Sequence, residues 1–395
     1  MPHPNKILVL GSGASACDVV RLAQKNGYFV IVTSNNPNGP ANEIANKSIS
    51  ISVTDTESLA NYISKNSISG VFTGPSEFHI QNVMKLCNLV NLPFYTTEEI
   101  WNICSDKKQF KDLCKKYQVP FVPEYKLTDQ LSNSSDLDII EYPIIVKPVD
   151  SSSSIGVTVC YNEDELRYAY KHALNFSKKK QVIIEKYIEN NGIVTNVRYI
   201  ANEGEITLSL LGDTFVVDPI NKKALITAVT IFPSLFTTKY IEQINDKVIN
   251  MFKSVGVKNG SFFMQSLPYK NTILFHEMGM RLSGGLIYKI TEPLNGLNDL
   301  EMMISFAMEG KMLPENEMIQ ADPYLKSKIA IDFCIPLKEG TIKEISGLNE
   351  IKLISEIIDF TQYYHTGDSI KHEYIGTIQQ QFCRLKLLLY CSNIL

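Results

Sequence analysis

Three residues late in the chain have the types and spacing for metal-assisted phosphate chemistry. Phe262-Phe263-Met264-Gln265-Ser266-Leu267 and Ile273-Leu274-Phe275-His276-Glu277-Met278 are apolar-rich runs joined by a polar turn near Tyr269-Lys270-Asn271. They read as a β-hairpin. In such a hairpin Gln265 and Glu277 can share one face, offering a hard cation such as Mg²⁺ an amide oxygen and a carboxylate. Arg281 follows, and then Leu282-Ser283-Gly284-Gly285, a loop able to approach a ligand closely. A buried Glu277–Arg281 pair is the structural alternative. On an alternating strand His276 should face away from Glu277, either as a structural residue or as lining of the site.

A second cluster lies earlier. Lys147 ends an apolar strand closed by Pro148 and faces the small-residue loop Ser151-Ser152-Ser153-Ser154-Ile155-Gly156. Backbone N–H groups and hydroxyls of such a loop can reach phosphate oxygens, with the lysine as a point charge. A surface hairpin carrying a solvated lysine fits the same residues. Glu185-Lys186-Tyr187-Ile188-Glu189 leaves a buried strand. Unpaired backbone groups there suit a purine's donor and acceptor edge, although an ordinary strand end reads the same way. Near the amino terminus, Gly11-Ser12-Gly13-Ala14-Ser15-Ala16 fits the glycine-rich dinucleotide fingerprint. The second strand ends in Thr33-Ser34-Asn35-Asn36, without the ribose-binding carboxylate, which favours a tight turn binding a substrate anion over a nicotinamide site.

The elements that must position these groups alternate at first. Lys6–Leu10, Phe29–Val32 and Gly70–Thr73 read as strands, with helices from Ala16 to Lys25 and from Thr54-Asp55 onward. This predicts a doubly wound, mostly parallel unit ending in a strand at Pro93–Thr96, followed by a helical stretch from Thr97 to Tyr117. From Pro120 the order is strand, loop, strand, helix, strand, an antiparallel α+β lobe. Residues 192–310 read as a second α+β unit, and the tail as strands with one terminal helix. The domains expected are therefore 1–117, 118–310 (lobes 118–190 and 191–310) and 311–395. The fold class is α/β and α+β.

Composition narrows the partners. The chain has 395 residues, 44% hydrophobic and 20% charged, and 38 basic residues against 42 acidic ones give a formal charge of −4. That balance offers no net pull on nucleic acid or an anionic membrane. Lys178-Lys179-Lys180 reads as a solvated turn. Eight cysteines form no CxxC pair and no zinc spacing, as expected of a reducing, cytoplasmic setting. The apolar run near the amino terminus is too short for a signal peptide, and no stretch reaches the roughly 20 residues of a membrane span. Leu387-Leu388-Leu389-Tyr390 should pack on the core or on a subunit partner.

Taken together these motifs resemble the ATP-grasp superfamily, the fold of biotin carboxylase, the carbamoyl phosphate synthetase large chain and D-alanine–D-alanine ligase. The resemblance covers nearly the whole chain, with a Rossmann-like domain ahead of the ATP-grasp domain and a small carboxy-terminal α+β unit. It implies that Lys107, in Ser105-Asp106-Lys107-Lys108, reaches the ATP phosphates with Lys147, and that Ser152, Ser153, Ser154 and Gly156 cover them. It implies that Glu185, Lys186 and Ile188 form the adenine hinge, the latter two through their backbones. Gln265 and Glu277 would hold the metal, with Gln first as in the carbamoyl phosphate synthetase branch, and Arg281 would clamp phosphate. Two positions depart from the pattern. Gly279 stands where the family usually has asparagine, and Gly192 where it often has a ribose-binding carboxylate, which Glu189 or Asp213 would replace.

The function implied is an ATP-dependent ligase that activates a small carboxylate as an acylphosphate and joins it to an amine, an amino acid among the candidates. ATP and Mg²⁺, or Mn²⁺, are the implied cofactors, and Lys147, Glu277 and Arg281 the catalytic residues. The partners are small molecules, not nucleic acid or membrane, with a homodimer as the candidate assembly. Phe215, Asp218, Tyr288 and Lys289 are candidate substrate liners. A non-catalytic ATP-binding regulator and, more weakly, an NAD-dependent oxidoreductase are the alternatives.

Overall fold

The computed structural model describes residues 5–126, 131, 137–151, 155–217, 226–315, 317–375 and 377–390. The amino-terminal third is built on a parallel sheet ordered Lys47–Ile49, Phe29–Thr33, Lys6–Leu10 and Gly70–Thr73. Apart from the exposed edge strand Lys47–Ile49, the strands are apolar on both sides. Ile7, Val9, Val30 and Val32 enter one core, and Leu8, Leu10, Ile31 and Val71 another. Helices therefore cover both faces, as expected of a doubly wound sheet. Asp55 caps the helix Thr56–Asn66 by accepting from Ser58 N.

Two local expectations change. Residues 93–96 join no ladder; the segment is instead anchored by its side chain, with Tyr95 buried and its hydroxyl donating to Met280 O at 2.8 Å. The helical stretch after Thr97 is two helices, Glu98–Ser105 and Lys107–Lys116, broken at Asp106. The Asp106 carboxylate accepts from Lys108 N and Gln109 N, both at 3.0 Å, and so caps the second helix.

The small lobe is a four-stranded antiparallel sheet ordered Glu124–Tyr125, Val182–Lys186, Ile144–Pro148 and Thr158–Cys160. Helix Glu163–Phe176 packs on it through Leu166, Ala169 and Ala173. The large lobe is an eight-stranded antiparallel sheet, ordered Thr272–Gly279, Gly260–Tyr269, Ile193–Asn202, Glu205–Val217, Ile226–Phe232, Lys328–Pro336, Gln381–Tyr390 and Ile357–Gln362.

The tail strands thus continue this sheet, and the last element among the described residues is the strand Gln381–Tyr390, where a helix was expected. The physical reason is charge pairing. Asp332 on the neighbouring strand takes Arg384 and Lys386 at 2.6 Å each, so two alternate cations are buried and the strand period wins. Leu388 packs with Leu210, Phe232 and Ile290, which places the apolar run on the core. The seven described cysteines are buried and free. Among the described residues no helix is long and apolar enough to cross a membrane.

Candidate active site

The hairpin Gly260–Tyr269 and Thr272–Gly279 sets the first part of the site. Its register places Gln265 opposite Glu277, and Gln265 also lies opposite Asn196 on the next strand. Directly opposed residues share a sheet face, so Asn196, Gln265 and Glu277 form one polar row. The ladder then shifts, Ser266 pairing with Phe275, and His276 is left as the unpaired residue of a bulge. Burial, together with the charges of Lys147 and Lys107, pulls the His276 imidazole down to about 4 against the opposing effect of Glu277 and Glu185. It is a neutral ring that feels both lysines but is not among the residues lining the cavity described below. For Glu277 burial would raise the pKa. Lys107 first, then His276, Lys147 and Arg281, outweigh that and hold the carboxylate below its usual range.

Helix Lys107–Lys116 buries Lys107, Phe110, Lys111 and Cys114, a stripe of i, i+3, i+4 and i+7 spacing that includes two lysines. Lys107 Nζ donates to Ser151 O at 2.6 Å and lies 3.7 Å from Glu277 Oε2. Its backbone N–H is fixed on Val149 O at 3.1 Å. Asp106, the cap, is also ion-paired with Lys179, so that member of the lysine run is not merely solvated. The Glu185 carboxylate, expected beside the purine, is instead enclosed by Lys111 at 2.5 Å and Lys147 at 2.7 Å. Burial would raise its pKa, but Lys147 and Lys111 bring it down to about 2.

Arg281 reaches across to the amino-terminal unit. Its Nε and one terminal nitrogen donate to Glu77 Oε1 at 3.1 and 2.8 Å, and the other donates to Leu282 O at 3.0 Å. The guanidinium lies 5.0 Å from the Phe263 ring centre. That ring covers Gly279, where an added Cβ would come within 2.6 Å of Phe263 Cζ. An asparagine cannot be seated there without moving the ring, which accounts for the departure at this position.

Lys107, Ser151, Glu277, Arg281 and Glu77 line a cavity of about 340 Å³, with Trp101, Cys104 and Phe263 among its walls. Burial pushes the Cys104 thiol up to about 12, so it is no thiolate nucleophile at neutral pH. Among the described residues no three His, Cys, Asp or Glu side chains converge. One carboxylate and one amide oxygen still match the donor set Mg²⁺ accepts when substrate phosphates and water complete its shell.

Other expected residues lie elsewhere. Lys186 N–H donates to Pro123 O at 2.9 Å, so a purine contact at that residue falls to its carbonyl. Ile188 is buried with Val122 and Leu274. Gly156 sits in a turn with φ +76°, and Ser152, Ser153, Ser154 and Asp218 lie outside the described residues. Gly192 has φ +73° and its Cβ would meet Val216 Cγ2 at 2.9 Å, so the backbone requires glycine there. Asp213 is buried and accepts from Thr195 Oγ1, Ser234 Oγ and Leu235 N, which removes it as a ribose ligand. Glu189 remains exposed. Tyr288 and Lys289 bind Asp18, and Lys289 also Asp359, away from the cavity, and Phe215 does not line it. Glu77 and Lys111 were not anticipated. A lysine on the apolar stripe of its helix was the available signal for Lys111.

A family model described as the D-ala D-ala ligase C-terminus matches residues 114–279. The formate-dependent phosphoribosylglycinamide formyltransferase of Sulfurisphaera tokodaii is 26% identical over 52% of this chain and 53% of its own length. The D-alanine–D-alanine ligase of Borreliella burgdorferi is 32% identical over 31% of this chain and 35% of its own. The chain thus spans about half, or less, of these curated relatives. The L-amino acid ligase structure from Bacillus licheniformis superposes with a TM-score of 0.77 at 17% identity, covering 100% of this chain and 96% of that one. The fold is ATP-grasp.

Proposed function

We propose, from the premise that the chain belongs to the ATP-grasp superfamily, that it is an ADP-forming ligase joining a small-molecule carboxylate to an amine. The observation that carries this reading is the convergence of Lys107, Glu277 and Arg281 on one cavity. Phosphoryl transfer spreads negative charge over several oxygens, so fixed cations and positioning supply most of the catalysis. A substrate carboxylate oxygen bonds to the γ-phosphorus while the bond to the β,γ-bridging oxygen breaks and ADP departs. The amine nitrogen then attacks the acyl carbon, phosphate leaves with the C–O electron pair, and the amine gives up a proton.

Lys107 and Lys147 neutralise the phosphates as point charges. Glu277, with Gln265 beside it, would hold Mg²⁺ or Mn²⁺, which when bound offsets phosphate charge. Arg281 presents a planar fork to the transferring phosphate or the acylphosphate, where paired N–H donors hold better than a point charge. A screen of acids against amines, seeded with the twenty amino acids, tests the reading by ADP release. Turnover should appear only where both partners are right and should vanish in Glu277→Ala; full turnover in that variant would remove Glu277 from the metal role.

Gly279 beneath Phe263, with no asparagine ligand, favours a second reading, a nucleotide-binding regulator without turnover. ATP-dependent thermal stabilisation with no ADP across a broad panel would support it.

A further inference from the structure

Glu185 carries one negative charge between two lysines, all three side chains being 6% exposed or less. A buried one-to-one pair locks both members, because withdrawing either strands the other charge without a partner. A two-to-one arrangement has no such lock. Lys111 is the deeper lysine, 1% exposed, and is also held by Val122 O at 2.8 Å. Lys147 is 6% exposed and is the penultimate residue of the strand Ile144–Pro148. Lys107 and Lys111 sit one helical turn apart, so a single helix face delivers one lysine to the cavity and the other to Glu185.

We propose that Lys111 is a positioning residue: it keeps Glu185 neutralised so that Lys147 can turn from that carboxylate to a nucleotide phosphate. The triad's net charge of +1 disposes it toward an anion. This rests on the reading above in which Lys147 meets the phosphates.

The test is titration of Mg²⁺ with a non-hydrolysable ATP analogue into wild type, Lys111→Met and the double variant Lys111→Met/Glu185→Gln, with thermal melts alongside. In Lys111→Met the remaining lysine is locked to Glu185, and nucleotide affinity should fall on the order of tenfold. Removing the carboxylate as well should free Lys147 and return the affinity to within about threefold of wild type. The double variant strands no carboxylate, so it carries the test if Lys111→Met folds poorly. Unchanged affinity in Lys111→Met, or no recovery in the double variant, overturns the proposal. Wild type that binds no nucleotide overturns the ligase reading itself, and this proposal with it.

Discussion

Adding one methyl group at Gly279 should disturb the site through Phe263. The Cβ of Gly279→Ala would lie 2.6 Å from Phe263 Cζ and 2.7 Å from Cε1. Carbon atoms settle at about 3.5–4.0 Å, so the ring must retreat by about 1 Å. The ring is 7% exposed, with Arg198 5.9 Å and Arg281 5.0 Å from its centre, so it must move against a guanidinium or into the cavity it walls. Overpacking of this kind costs about 1–3 kcal/mol. The ring's retreat bears on Arg281, and a displacement of about 1 Å in a positioned group can lower a rate about 100-fold. Equilibrium unfolding in urea and steady-state ADP release should therefore both register the change. Shortening the wall in Gly279→Ala/Phe263→Leu should restore much of the stability. Wild-type unfolding and turnover in Gly279→Ala would refute the reasoning.

Other expectations concern charges. Glu77→Gln leaves Arg281 without its carboxylate, and should raise affinity for inorganic phosphate or an acylphosphate mimic about threefold, measured by titration. The folded pKa of Glu185, about 2, lies below its ordinary 4.5, so its ionisation stabilises the fold above 4.5 and that contribution fades as pH falls toward 2. Melts of wild type and Glu185→Gln should accordingly converge between pH 4.5 and 2. Iodoacetamide at pH 7.5 should leave Cys104 unmodified in the folded protein, read by peptide mass mapping, because burial raises its thiol pKa to about 12.

The sequence was most informative where local period and turn chemistry agree. The hairpin across Tyr269-Lys270-Asn271 was legible from two apolar runs and a polar turn, and its register brings Gln265 opposite Glu277. The His276 bulge was not, since one extra residue leaves no mark on composition. The helical character of Lys107–Lys116 was readable and so was the phosphate role of Lys107, but nothing local marked Lys111 as buried, because its partner Glu185 comes from another lobe. The Glu77–Arg281 contact joins residues 204 apart, a pairing that no local spacing can announce. The terminal strand was misread because an apolar run preceded by Arg384 and Lys386 fits a helix until Asp332 pairs with both. Long-range charge partners, more than secondary structure, were what the sequence withheld.

The central claim is that the cavity around Lys107, Glu277 and Arg281 makes an acylphosphate. Once the screen identifies an acid, isotope transfer tests this most directly. The acid labelled with ¹⁸O in its carboxylate is turned over with ATP and the amine, and the released phosphate is examined by mass spectrometry. One ¹⁸O should appear in each phosphate formed. Unlabelled phosphate, or AMP and pyrophosphate in place of ADP, would contradict the account.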